Sequence, residues 1–559
     1  MAGRQDPSAA KAAVLTFLTF LGYRLTVNMH LPPIIQWLPL ALLGVGAFKT
    51  AQMLYRDWRA ARVVLAMRMP LGIEGSTHVP TVNDLVVAGL MISNPDGQGF
   101  PLGAVDGRML FYDGPGHISI RAATNAGKTE SSAALACFAL GKDRNLVVTA
   151  KGPELVYLAA RHRMNIGQDV IIIDPFRLTK GSGLSTHDFN EIGHLVRYAD
   201  QNSPELLDKA RKIALLRIPE PPGASGENKF FRDSAQSLLA GCMSYAACLE
   251  AETGELICNL PALRTRLCGS DEALESFLLE MSRCERYEGS IADTAKRFLG
   301  RLKRAPKTAE AILTEIENAL ALYDKGSVLG QRTEYSDFDP ADIKKKPMTV
   351  FIVTDPGKSE THGSYAGAVI EVLMDMAIDA DSFEPRVTFL LDEFANLSKG
   401  PIPSVLPALF IGRSRGAQLI SYVQDTMSYQ SRYGDEASAF TTQSEVIMAW
   451  SIRSVKDAEE YSKRAGKRAV VTENYNLPDG GIRNYADRFS LSVSEKAIDL
   501  RRPDDFLQLA DFKAVLFFKQ QAPQFLDLVS YRMIEPWVHQ AGTVPGAPPL
   551  NDLPITFKL

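Results

Sequence analysis

Little in this chain could support a disulfide or metal framework. Its 559 residues include six cysteines (Cys137, Cys242, Cys248, Cys258, Cys268, Cys284), with no C-x-x-C pair and no histidines at zinc-finger spacing. That excludes a disulfide scaffold and a zinc module and indicates reduced thiols in a cytosolic body. A strong charge of one sign is also missing. The formal net charge is −4, so any contact with nucleic acid must come from a local patch. No uninterrupted apolar run reaches the roughly 20 residues that cross a bilayer core. There is no internal repeat. What remains is ordinary: 46% hydrophobic and 23% charged residues are the proportions of a folded protein, and the length implies two to four domains.

Two apolar runs open the chain. "AAVLTFLTFLGY" (12–23) and "IIQWLPLALLGVGAF" (34–48) flank a short polar stretch containing Pro32 and Pro33. Each is short by itself, but Arg24 and Lys49 can snorkel, which makes both long enough to span. Arg4 and Lys11 precede the first run, and Arg56, Arg59, Arg62 and Arg68 follow the second. Basic flanks on both outer sides place both ends in the cytoplasm. The expectation is an N-terminal transmembrane hairpin over residues 1–69. A cleaved signal peptide is the rival for the first run, but no small-x-small site follows Tyr23. A buried or interfacial hairpin is the alternative.

Past residue 70, strands and helices alternate. "NLVVTAK" (145–151) and "DVIIIDP" (169–175) are apolar throughout and are separated by the helical "PELVYLAARHRMNI". Strands apolar on both faces and joined by helices form a parallel sheet covered on both sides. From about Pro204 to Asp324 only amphipathic helical patterns occur; strands return with "MTVFIVTDP" (348–356) and "RVTFLLDEFANL" (386–397). The expected organisation is a first nucleotide-binding segment over 70–199, an inserted all-alpha domain over 200–335, and a second nucleotide-binding segment over 336–540. The Pro-rich 541–559 forms a flexible tail.

Two motifs carry the chemistry. "SIRAATNAGKTESS" (119–132) follows an apolar strand and precedes a helical run. It departs from G-x-x-x-x-G-K-[ST] only at Ala122, and an alanine fits that place if its φ is negative. In such a loop, backbone N–H groups over Thr124, Asn125, Ala126, Gly127, Lys128, Thr129 and Glu130 surround phosphates. Lys128 neutralises their charge and the Thr129 hydroxyl coordinates Mg2+. Alone, this pattern is a weak signal. The second motif, "VTFLLDE", is an apolar strand ending in Asp392, to hold Mg2+, and Glu393, to orient and deprotonate a water. Together and in this order the two motifs indicate an α/β P-loop NTPase that uses ATP and Mg2+.

Further segments widen the match. "KGPELVYLAARHRMNIGQDVIIIDP" (with Lys151, Gly152, Glu154, Asp174 and Pro175), "NKFFRDSAQSLL", "LLDEFANL", "GRSRGAQLISYVQD" and the pair Tyr433-Gly434 together resemble the type IV coupling proteins. These are the RecA-like membrane ATPases of conjugation and type IV secretion. The resemblance covers most of the chain and departs from the family at Ala122 and in the few residues between the apolar runs, which leave almost no periplasmic portion. It implies a homo-hexamer on the bacterial inner membrane, with most of the chain cytoplasmic. It also implies partners: the secretion channel, a relaxase–DNA complex or effector proteins, and adaptors on the helical domain or tail. It gives Gln424 the role of γ-phosphate sensor and Arg413 that of an arginine finger reaching a neighbouring subunit, with Arg415 the next candidate. A non-hydrolysing receptor of the same fold stays open, as does a DNA pump of another RecA-like branch.

Overall fold

The computed structural model describes residues 7–29, 32–67, 77–220, 226–393, 397–476, 490–545 and 556–558. The chain divides into two compact units: Met1–His78 with Gly466–Leu500, and Val79–Ala465 with Arg501–Leu559. Its strands in chain order are β1 (Phe100–Val105), β2 (Arg108–Tyr112), β3 (His117–Ala122), β4 (Arg144–Lys151), β5 (Asp169–Ile173), β6 (Met348–Thr354), β7 (Arg386–Leu391), β8 (Ala417–Val423) and β9 (Ser444–Trp450). Then follow β10 (Lys467–Asn476), β11 (Ser490–Asp499), β12 (Lys513–Phe518), β13 (Gln524–Asp527), β14 (Ile534–Glu535) and β15 (Phe557–Lys558).

The larger unit is built on an eleven-stranded sheet in the order β2-β1-β13-β12-β9-β3-β8-β7-β4-β6-β5. From β9 to β5 the strands run parallel. The apolar runs explain this half. Successive side chains point to opposite faces, so a strand apolar throughout needs cover on both. In β4, Leu146, Val148 and Ala150 enter one core with helices Ala134–Ala139 and Glu154–Asn165. Val147 enters the other, against the helices Glu205–Arg217, Glu227–Thr253 and Ser359–Asp379. β6 repeats the division, with Phe351 and Val353 on the first side and Val350 and Ile352 on the second. Beyond β9 the sheet continues antiparallel through β12, β13, β1 and β2. That wing was not foreseen.

Between β5 and β6 the described residues form helices and no strand. Local chemistry sets their starts. Asn259 and Ser270 stand in extended backbone, and their side chains accept the N–H groups of Ala262 and Ala273, the usual role of an N-cap. All six cysteines are free thiols. One buried ion pair lies within this region. Arg217 Nη2 meets Glu191 Oε1 at 2.5 Å with both side chains almost fully buried, and the Tyr323 hydroxyl donates to the same oxygen. Arg217→Leu leaves that carboxylate without its cation. The expected loss is about 3–5 kcal/mol, read as a lower urea midpoint; an unchanged midpoint would show that Tyr323 suffices.

The smaller unit contains the helices Pro7–Asn28 and Pro33–Met67, which pack on each other. Among the described residues no helix is long and apolar enough to cross a membrane. Arg4 and Arg68 of the expected basic flanks lie outside the described residues. β10 and β11 pair antiparallel along their whole lengths, a ribbon the sequence reading did not anticipate. In the larger unit, residues 541–559 were expected to form a flexible tail. Gly542 N–H bonds Leu158 O at 2.9 Å and β15 pairs in parallel with β14; residues 546–555 lie outside the described residues.

Candidate functional site

The site forms at the carboxyl ends of β3, β7, β4 and β8, where a parallel sheet leaves a crevice. Ala122 is the last residue of β3, buried and opposite Trp450 of β9. The first position of the loop is therefore extended strand, and nothing there requires glycine. The turn comes later: Asn125 and Gly127 hold φ of 61° and 74°, the left-handed conformation that glycine and asparagine tolerate. The loop opens into a wide first turn, Thr129–Ala133, which continues as the helix Ala134–Ala139. The Trp450 indole N–H donates to Ala126 O at 2.7 Å and fixes the loop from the neighbouring strand.

Lys128 folds over its own loop, with Nζ donating to Ala122 O at 3.0 Å and Ala123 O at 3.3 Å. Burial lowers its pKa, while Asp392 and Glu393 oppose that shift. Burial raises the Asp392 carboxyl, and the Lys128 ammonium opposes it. The end of β7 is held by Thr149 of β4, whose hydroxyl accepts Asp392 N–H at 2.6 Å. Glu393 sits at φ 47°, uncommon for a non-glycine residue, and its N–H donates to Asp392 Oδ1 at 2.9 Å. Residues 394–396 of "LLDEFANL" lie outside the described residues.

Gln424 follows β8 directly. With Lys128, Glu393, Tyr422, Ser428 and Arg432 it lines a cavity of about 220 Å³. The sheet thus brings Lys128, Glu393 and Gln424 to one space, with Asp392 beside it. Thr124 and Asn125 are exposed, Ala126 and Thr129 half-buried. Glu130 turns elsewhere: its carboxylate accepts from the Ser530 hydroxyl at 2.5 Å and meets Arg532 Nε at 3.1 Å. Arg413 lies apart, in the turn Gly412–Arg415 before β8. It pairs with Glu445 Oε1 at 3.0 Å.

Sequence reasoning missed several residues here. Arg121, buried one place before Ala122, bonds Thr426 Oγ1 at 3.0 Å and Thr441 Oγ1 at 2.6 Å. It ties the P-loop strand to the helix Thr426–Tyr433 that carries Ser428 and Arg432. Lys151, named in the sequence only among the residues that carry the family resemblance and given no role there, ion-pairs with Glu393 Oε1 at 2.6 Å. The sequence places these partners hundreds of residues apart, and no local pattern marks them.

Because the first loop position is strand-like, Ala122→Gly is expected to change nucleotide affinity by tenfold at most. Glycine adds only about 0.5–1 kcal/mol of backbone entropy there. Equilibrium binding of a non-hydrolysable triphosphate analogue checks this; a large rise in turnover would instead identify Ala122 as a brake.

Fold and site together define a P-loop α/β protein with acidic residues at the end of β7, one strand removed from the P-loop strand β3 in the same parallel sheet. Residues 78–532 match the family described as Type IV secretory system Conjugative DNA transfer. The chain is 25% identical over 391 residues to a conjugal transfer protein TraG of Rhizobium radiobacter, covering 69% of this chain and 57% of that protein. It is 25% identical over 384 residues to a TraG of Agrobacterium fabrum strain C58, covering 68% of this chain and 55% of that protein. The chain thus spans a little over half the length of the curated relatives it matches. Among solved structures it resembles the plasmid coupling protein TrwB in complex with the non-hydrolysable ATP analogue ADPNP. That match has a TM-score of 0.57 at 16% identity over 81% of this chain and 93% of the other. TrwB with ADP and Mg2+ gives a TM-score of 0.52 at 15% identity, covering 74% and 85%. The likeness to TrwB is one of fold. By the extent of the family match, the chain belongs to the type IV secretion coupling proteins of conjugative DNA transfer.

Proposed function

We propose that this protein is an ATP-hydrolysing coupling protein that works as a hexamer at the bacterial inner membrane and powers transfer of cargo into a type IV secretion channel. The observation that carries this reading is the cavity that Lys128, Glu393 and Gln424 line together at the carboxyl ends of parallel strands, in a chain of this family. The residues present fit a magnesium nucleotide. Left-handed Asn125 and Gly127 turn the loop, Lys128 faces two acids, and Asp392 is a desolvated carboxylate. The loop from Thr124 to Glu130 would surround the phosphates through its backbone, Glu130 through its N–H alone because its carboxylate is engaged. Thr129 and Asp392 would hold Mg2+, which when bound neutralises phosphate charge and orients the leaving group. Glu393 accepts the proton of the attacking water, and Gln424, at the end of the next strand, contacts the terminal phosphate. The exposed apolar side chains of the N-terminal helices, among them Phe17, Leu18, Trp37, Leu38 and Phe48, support a membrane attachment.

Steady-state hydrolysis of ATP by the purified full chain, with and without DNA, tests the reading. Turnover that depends on Mg2+ and rises on assembly supports it. Binding without turnover would leave the second reading, a nucleotide-dependent cargo receptor.

A further inference from the structure

Lys151 stands out at the site because nothing in a P-loop mechanism requires it. It ends β4, and Gly152 after it turns away at φ 81°, its N–H bound to Thr354 O. The Lys151 ammonium makes a 2.6 Å hydrogen bond to Glu393 Oε1. In the sheet, β7 lies between β4 and the pair β8-β3. Lys128 therefore approaches Asp392 and Glu393 from one side and Lys151 from the other. The four side chains form a balanced set of two cations and two anions, in which Lys151 is close enough to act electrostatically on Lys128 and Asp392.

That arrangement raises a problem for Glu393. A carboxylate that must accept a proton from water has one oxygen committed to an ammonium, and its backbone is fixed at φ 47°. The carboxylate is mostly covered, with its side chain 15% exposed, whereas Lys151 is 40% exposed. The lysine stem is the mobile partner, and a pair this open to solvent is held weakly. A terminal phosphate entering the cavity that Glu393 lines brings more negative charge, delocalised over several oxygens, next to the same ammonium.

We infer that Lys151 is a positioning residue that exchanges the Glu393 carboxylate for the terminal phosphate of a nucleoside triphosphate, so that Glu393 is released only when that phosphate is present. Lys151 then reports the γ-phosphate to the base, and a nucleoside diphosphate leaves the ion pair closed. The inference rests on the proposed ATP hydrolysis, but its first readout is binding, which is measured without turnover.

The test compares wild-type full chain with Lys151→Met and Lys151→Arg. Equilibrium affinities are measured for ADPNP with Mg2+ and for ADP with Mg2+, followed by kcat and KM for ATP. Loss of a charge-assisted hydrogen bond should weaken ADPNP by about tenfold in Lys151→Met while ADP stays within about twofold. In the same variant kcat should fall, because Glu393 loses the ammonium that couples it to the terminal phosphate. Lys151→Arg should keep most of the triphosphate preference, which a merely structural defect would not restore. A Lys151→Met chain with the wild-type ratio of ADPNP to ADP affinity overturns the inference. A wild-type chain that never hydrolyses ATP, yet loses its triphosphate preference in Lys151→Met, removes the motor reading and retains Lys151 as the phosphate reader. A wild-type chain that binds neither nucleotide overturns both.

Discussion

Lys128→Ala and Glu393→Gln are each expected to reduce ATP turnover by about 10²-fold or more, the scale of losing an electrostatic clamp or a general base. The two variants should fail differently. Lys128 contacts backbone carbonyls of its own loop and faces Asp392 and Glu393 across the cavity. Its loss removes the main cation for the phosphates, so affinity falls together with rate. Glu393→Gln keeps an oxygen for Lys151 and changes little in volume, so nucleotide binding should survive while hydrolysis stops. Both side chains line the cavity and not the packed core, and thermal unfolding should therefore match wild type. Transfer of cargo that continues in the Lys128 variant would show that hydrolysis does not drive transport and would favour the receptor.

The parallel half of the sheet was legible because each of its strands must be apolar on both faces, and "VIIID" or "TVFIV" leaves little choice. The antiparallel wing carried a quieter signal. β1 and β2 meet at Asp106-Gly107, both at positive φ, the D-G pair of a tight hairpin; it is plain once the strands are known. The ribbon of β10 and β11 was hidden for another reason. A two-stranded ribbon has no second layer to impose an apolar face, so "KRAVVTENYN" does not read as a core strand. At the site, the loop and the acidic strand end were visible as contiguous motifs. The contacts of Lys151, Arg121 and Trp450 were not, because each depends on strand order: β4 beside β7, and β9 beside β3. Glu130 falls inside the motif by position, yet its carboxylate is engaged by Ser530 and Arg532, from a segment about 400 residues later in the chain.

Arg413→Ala is expected to bind ATP as wild type does and to hydrolyse it about 10³-fold or more slowly, the usual contribution of an arginine finger. In the proposed hexamer the finger would serve another subunit, because Arg413 stands at the far end of the sheet from its own P-loop. β3 and β8 are adjacent and parallel; the P-loop leaves the carboxyl end of β3, and Arg413 precedes the amino end of β8. The strand between Arg413 and Gln424 has seven residues, about 23 Å of extended chain, longer than an arginine side chain. Within its own subunit Arg413 instead meets Glu445 at 3.0 Å and Gln443 O at 3.4 Å, and Tyr112 O–H holds the other Glu445 oxygen at 2.7 Å. Hexamers mixed from Arg413→Ala and Lys128→Ala chains should recover part of the lost activity, since some interfaces then pair an intact loop with an intact arginine. Mixed rings with no recovery would place the role of Arg413 within its own subunit, with Glu445 as its structural partner. Arg415, bound to Asp381 at 2.8 Å, is the control. If Arg415→Ala complements Lys128→Ala and Arg413→Ala does not, the finger is Arg415.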